Sequence, residues 1–154
     1  MSVELITRFY TAFQAKDAEG MAACYAPDIR FSDPVFPDLQ GAHAGNMWRM
    51  LCSRGKDLEV TFSDVTCDGD TATAHWEAHY TFSTGNKVHN KIDATFELRD
   101  GLIVKHTDVF DLSAWAGQAL GLVGKLFGWL PPLQNKIRGQ AADGLARWEA
   151  RHGG

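Results

Sequence analysis

Residues 58–112 hold four runs of alternating apolar and polar side chains, separated by short polar turns at Asp68-Gly69-Asp70, residues 83–86 and Arg99-Asp100-Gly101. Successive side chains of a strand point to opposite faces, and Asp-Gly pairs make the tight turns that hairpins need. The pattern therefore predicts consecutive antiparallel strands over 58–67, 71–82, 88–98 and 102–111. Ala72, Ala74, Trp76, Ala78, Tyr80 and Phe82 fall on one face, as do Ile92, Ala94, Phe96 and Leu98. The opposite face is polar and takes His75, Glu77, His79, Lys91, Asp93 and Glu97. His89 joins that side, so these histidines are expected at solvent or a subunit interface rather than on a metal.

The last run carries the chemistry. Alternation puts Leu102, Val104, His106, Asp108 and Phe110 on one face, so an apolar surface holds a histidine and an aspartate in its middle. A carboxylate taken out of water finds a partner or shifts its pKa. Two readings follow: His106 and Asp108 satisfy each other or nearby backbone, or the face lines a cavity where the pair is reactive.

Upstream, Val3, Ile6, Phe9, Tyr10 and Phe13 recur at helical spacing over residues 2–15, with Ser2 placed to cap the first turn. Asp17 offers a second cap for a short helix over 18–25, which Ala26-Pro27-Asp28 ends. Residues 29–33 alternate as a strand up to Pro34, and Asp33 shares the apolar side with Ile29 and Phe31. It is the second inward carboxylate. A loop over 34–45 leads to a third helix over 46–54 through Met47, Met50 and Leu51, with Trp48 on its flank.

After Asp111 the pattern turns helical. Trp115, Ala119, Leu122, Val123, Leu126 and Phe127 form one stripe, and after Pro131-Pro132 a second helix carries Ile137, Ala141, Leu145 and Trp148 on one side. Two extra C-terminal helices are expected. The first stripe is too short and too interrupted to span a bilayer; a lid, a dimer contact or a membrane-surface element are the alternatives, in that order.

At 154 residues with 45% hydrophobic side chains, the chain can bury one core. A formal charge of −4 and no Lys/Arg cluster argue against a nucleic-acid partner, and a membrane is not an expected partner either. Cys24, Cys52 and Cys67 are odd in number and widely spaced, which fits reduced thiols. With no secretory pattern at the start, a cytoplasmic setting is expected.

The order helix, helix, strand, helix, four-strand meander describes an α+β roll: a cone-shaped curved sheet wrapped around N-terminal helices. Here the chain resembles the nuclear transport factor 2-like superfamily, in its SnoaL-like and ketosteroid isomerase-like branch. The resemblance covers about residues 3–112 and rests on the first two helices, on Phe31-Ser32-Asp33-Pro34-Val35 with Gly41 after it, and on His106-Thr107-Asp108-Val109-Phe110-Asp111. It implies a roll domain over 1–112, a helical extension over 113–154 packed on it, and a homodimer. Asp33 falls where ketosteroid isomerases carry their general base. Asp108 falls where SnoaL-like cyclases and limonene epoxide hydrolase-like enzymes carry an acid or base. The chain also departs from these patterns. The isomerase tyrosine matches Phe9, with Tyr10 one position off; its protonated aspartate matches Ala94; and no inward arginine completes the hydrolase network.

Two functional classes follow. One is a cofactor-free and metal-free acid–base enzyme of the isomerase, cyclase, dehydratase or hydratase type. In it Asp33 or Asp108 takes the proton, His106 orients or relays it, and Phe9, Tyr10, Phe13, Trp48, Trp76, Tyr80 and Phe110 hold a small apolar substrate. The other is a non-catalytic ligand-binding or interaction module.

Overall fold

The computed structural model describes residues 2–152. Helices α1 (Ser2–Gln14), α2 (Ala18–Ala22) and α3 (Ala42–Arg54) pack against a sheet of β1 (Tyr25–Ser32), β2 (Leu39–Gln40), β3 (Glu59–Asp68), β4 (Thr71–Thr81), β5 (Lys87–Arg99) and β6 (Leu102–Val109). Three further helices follow: α4 (Leu112–Leu120), α5 (Leu122–Phe127) and α6 (Pro131–Arg151). The strand order is β2-β1-β6-β5-β4-β3. The meander β3 to β6 is antiparallel, as the turns predict, while β1 joins β6 in parallel and makes the sheet mixed.

The core lies between the helices and one face of this sheet. Leu5, Ile6, Phe9, Tyr10 and Phe13 of α1 are buried in one cluster with Trp76, Ala94 and Phe96, while Val3, on the same stripe but in the first turn, stays exposed. The side chain of Ser2, and with it the expected cap, lies outside the described residues. Asp17 caps α2 as predicted, its Oδ1 accepting from Gly20 N at 3.0 Å.

Four local expectations need correction. The second helix stops at Ala22, and Tyr25 opens β1 instead of closing the helix. Pro27 does not end an element there: it sits exposed within the strand, where the pairing with β6 shifts register between Tyr25 and Arg30. In β6, Val104 is an extra residue between the pairs Leu98↔Ile103 and Glu97↔Lys105. A bulge of this kind flips the alternation upstream of it, so Ile103 is buried and Leu102 and Val104 are not. His106 and Asp108, downstream, keep the predicted face. Helix α3 starts four residues early, at Ala42 after Gly41, and carries Trp48 inside the core instead of on its flank.

The fourth correction concerns the C-terminal stripe. Gly121 takes φ 66° and divides it into α4 and α5. Trp115 and Ala119 are buried, whereas Leu122, Val123, Leu126 and Phe127 are exposed. Helix α6 packs as expected through Ile137, Leu145 and Trp148. Glu149 on α6 accepts from Asn46 Nδ2 at 2.8 Å and lies 2.6 Å from His43 Nδ1, which ties the helix to α3. No helix among the described residues is long and apolar enough to cross a membrane.

Candidate active site

Below α1 runs a buried chain of hydrogen bonds drawn from α3, β1, β6 and β4. Trp48 Nε1 donates to Tyr25 Oη at 2.8 Å, Tyr25 Oη meets His106 Nδ1 at 2.8 Å, and His106 Nε2 meets Asp108 Oδ1 at 2.8 Å. Trp76 Nε1 donates to the same Asp108 oxygen at 3.3 Å. An indole N–H can only donate, so the Tyr25 oxygen accepts from Trp48, and toward a neutral His106 ring its own proton goes to Nδ1. Hydrogen-bond bookkeeping thus puts the ring proton of His106 on Nε2, donated to Asp108. Of the two readings made for His106 and Asp108, the structure shows the mutual hydrogen bond. The two do satisfy each other, and they do so in a dry interior, at 0% and 3% exposure.

That interior is aromatic and tightly filled. The rings of Phe9, Phe31, Trp48 and Phe96 lie 4.4–6.1 Å from the His106 ring, centroid to centroid. Phe13 packs on Trp48 and Trp76. Where the sequence predicts a cavity, these rings occupy the space around the histidine. Tyr10 is the polar exception among them. Its hydroxyl is the one buried side-chain oxygen or nitrogen without a hydrogen-bond partner among the described residues. Burial pushes its pKa well up, and the charge of Asp108 adds to the push.

Asp33 sits at the edge of this interior, half-buried at the end of β1. The chain folds over it in an Asx turn: its Oδ1 accepts from Val35 N at 2.7 Å and from Phe36 N at 2.6 Å. Those amides favour the carboxylate. Desolvation is the larger effect, and with the charge of Asp108 it raises the Asp33 pKa to about 7. Tyr80 on β4 is next in line. Burial raises its pKa, the indole N–H of Trp115 at 2.7 Å lowers it, and the charge of Asp33 raises it. So Asp108, Asp33 and Tyr80 influence one another in series from the core to the edge. Phe110 is half-buried there and packs with both apolar clusters.

The C-terminal helices cover that edge. Trp115 of α4 bonds Tyr80, and Arg138 Nε of α6 donates to the carbonyl of Pro34, beside Asp33, at 2.8 Å. Of the predicted site residues, the structure brings Asp33, His106, Asp108, Tyr10, Trp76 and Tyr80 into one connected region. Phe9, Phe13 and Trp48 pack around it. Tyr25 is the residue that sequence reasoning missed, because Pro27 suggested a helix stop rather than a strand. Alternation could not have placed it, because Tyr25 and Ala26 are both buried and Pro27 is exposed where the register shifts. Trp115 as a partner of Tyr80 had no local signal.

The outer face of the sheet holds His75, His79 and His89. His75 lies 2.9 Å from Asp93 and 2.8 Å from Glu77, and His89 reaches the second Glu77 oxygen. These bonds raise the His75 pKa and lower that of Glu77 to about 2. His79 stacks on His89.

A pH effect on stability follows from Asp33. Its pKa is higher folded, at about 7, than the ordinary aspartate value of about 3.9. The protonated form is therefore favoured by folding, and the stabilisation, complete below the unfolded value, is lost as pH rises to 7. Asp33→Asn keeps an oxygen for the Val35 and Phe36 amides and cannot ionise. Melting curves of both proteins across this range are expected to show wild type losing stability relative to Asp33→Asn as pH rises. Parallel curves would place the carboxylate in water.

The geometry can be set beside known proteins. A family model for the SnoaL-like domain matches residues 6–106. No curated protein sequence matches the chain. Among solved structures, an M. tuberculosis LEH-like epoxide hydrolase is 21% identical with a TM-score of 0.66, covering 80% of this chain and 93% of its own. IdmH of Streptomyces antibioticus, a candidate polyketide cyclase, is 23% identical with a TM-score of 0.64, covering 77% of this chain and 97% of its own. A Catenulispora acidiphila protein of ketosteroid isomerase-like fold, in complex with trimethylamine, is 17% identical with a TM-score of 0.68, covering 83% and 98%. These neighbours are spanned almost whole and leave part of this chain over; α4 to α6 lie beyond the family match. With its helices before a mixed sheet and its match over most of the chain, the protein belongs to the SnoaL-like domain family and has the nuclear transport factor 2-like, ketosteroid isomerase-like fold.

Proposed function

We propose that the protein is a cofactor-free acid–base catalyst acting on a small apolar molecule, in a reaction of the isomerase, cyclase, dehydratase or hydratase type. One observation carries this reading. The charge of Asp108 acts on two groups of the same apolar interior: on the Asp33 carboxyl, which desolvation and that charge raise to about 7, and on the unpartnered hydroxyl of Tyr10. A general base works best when its pKa lies near the operating pH, and desolvation is the means by which a carboxyl gets there. In this reading Asp33 removes and returns the proton. Asp108, fixed by His106 and Trp76, holds the negative charge that keeps Asp33 basic. Tyr10 donates to an oxygen on which charge develops. The substrate enters beside Asp33 and Tyr80, displaces aromatic side chains and lies against Phe9, Phe13, Trp48, Trp76 and Phe110. Other members of the fold bearing cyclase and epoxide hydrolase descriptions support small-molecule chemistry at such a site.

The second reading, a binding module without chemistry, draws on the filled state of the interior around His106. One comparison separates the two. Cyclic ketones, enones and epoxides are screened for thermal stabilisation of the protein and then for product formation, with wild type and Asp33→Asn. A catalyst keeps binding and loses turnover in the variant. A binder shows no turnover in either protein.

We also infer a homodimer, formed through the polar face that carries His75, Glu77 and His89. Light scattering at micromolar concentration is expected to give twice the 17.0 kDa chain mass. A monomer there overturns this assignment.

A further inference from the structure

Helix α5 is inside out. Its small residues face inward: Gly124 is buried against the Ala116 carbonyl, and Gly128, just after the helix, packs on Ala116 and the Gly124 carbonyl. A Cβ at either glycine would collide with backbone, so the glycines let the segment lie flush on α4. Its bulky apolar residues face out. Leu122 is 70% exposed, Trp129 65%, Val123 and Leu126 55%, and Phe127 48%. These five side chains occupy one eight-residue span and include every exposed large apolar residue described except Val3 and Val109. A contiguous apolar patch marks a contact surface.

The charges around the patch identify its partner. The chain has a formal charge of −4 and 19 acidic residues, yet no Asp or Glu occurs between Asp111 and Asp143, while Lys125, Lys136 and Arg138 do. Lys125 stands exposed within the patch and Lys136 exposed on α6, whereas Arg138 is engaged with Pro34 and Asn135. A surface groove of about 730 Å³ next to α5 is lined by Lys87, which also interacts with the charge of Asp57, and by Lys125; the one acid lining it, Asp111, already accepts from Ala114 N as the cap of α4. Exposed Leu, Phe and Trp flanked by lysines, with the acids removed, match a bilayer interface bearing negative charge. A second copy of the chain matches less well, because a two-fold contact packs the patch on itself and gathers its lysines into one interface with no acid between Asp111 and Asp143 to offset them.

We propose that α5 and Trp129 dock the protein on the surface of an anionic lipid bilayer. The contact is interfacial, with Phe127, Trp129 and Leu126 entering the acyl boundary and Lys125 at the headgroups. It stands independently of the catalytic reading. It also places the helices that cover Asp33 and Tyr80 at the surface where an apolar molecule would be stored.

Cosedimentation of the full chain with vesicles tests the docking. Binding is expected to vesicles of phosphatidylcholine mixed with phosphatidylglycerol, at low salt, and not to phosphatidylcholine alone. Trp129 is the exposed member of five tryptophans, the others being under 10% exposed, so emission shifts to shorter wavelength on binding. Lys125→Glu should lower partitioning by roughly fivefold or more, the scale of one basic residue near a charged membrane. Phe127→Ser/Trp129→Ser should abolish it; both side chains are exposed, so circular dichroism and melting stay as in wild type. Absence of sedimentation with the anionic vesicles overturns the proposal, as does sedimentation that ignores Lys125→Glu and lipid charge. Self-association that Phe127→Ser/Trp129→Ser abolishes, without vesicle binding, assigns the patch to a second copy and overturns it equally.

Discussion

Asp108→Asn is expected to lower turnover by about 100-fold or more while the protein stays folded, the usual scale for a group acting in acid–base catalysis. The amide keeps an oxygen where Oδ1 accepts from His106 Nε2 and Trp76 Nε1, so both donors remain satisfied. What it removes is the charge. With that charge gone, one of the causes holding the Asp33 carboxyl at about 7 disappears, and the remaining base is weaker. The pH–rate profile should therefore move to lower pH as well as fall in height. A structural role for Asp108 gives the opposite pattern, with lower stability and unchanged activity per folded molecule. Asp108→Ala is the useful contrast, since it leaves both N–H groups unpaired in a dry interior and should destabilise on that account alone.

The second large effect is on stability. Tyr25→Phe removes one oxygen and strands two partners, Trp48 Nε1 and His106 Nδ1, where no water reaches them. Each buried unsatisfied group costs on the order of 1–3 kcal/mol, so a loss of roughly 2–4 kcal/mol, or roughly 5–15 °C in melting temperature, is expected. Chemical denaturation and calorimetry read it. The variant also frees the His106 ring to change tautomer, so its ring nitrogen resonances should move, which a merely local packing defect would not produce. A change of less than about 0.5 kcal/mol, the size of an ordinary surface substitution, would mean that the chain of bonds is not closed in solution.

Most of the sheet was legible because its signals are local. A period of two, punctuated by Asp68-Gly69-Asp70 and Asp100-Gly101, leaves few alternatives to a meander, and it placed His106 and Asp108 inward correctly. The errors share a cause. The bulge at Val104 adds one residue that no periodicity announces, so Ile103 was put on the wrong face. Pro27 reads as a terminator in a single sequence but is tolerated where the β1–β6 register shifts, and that hid Tyr25. Gly121 lies within an apolar helical stripe, and only its positive φ reveals that the stripe is cut and half of it turned outward. At the site, residue types and facing were visible in advance. The links between them were not, since Trp48 to Tyr25, Tyr25 to His106 and Trp76 to Asp108 join residues 23 to 81 positions apart.

The coupling of Asp33 to Asp108 is the centre of this account, and it can be measured without knowing the substrate. Carbon-detected NMR titration of the Asp33 carboxyl, in wild type and in Asp108→Asn, follows both ionisation and coupling. A midpoint near 7 in wild type that falls in the variant is the expected result. An Asp33 carboxyl that titrates at the ordinary aspartate value of about 3.9 in both proteins would contradict it.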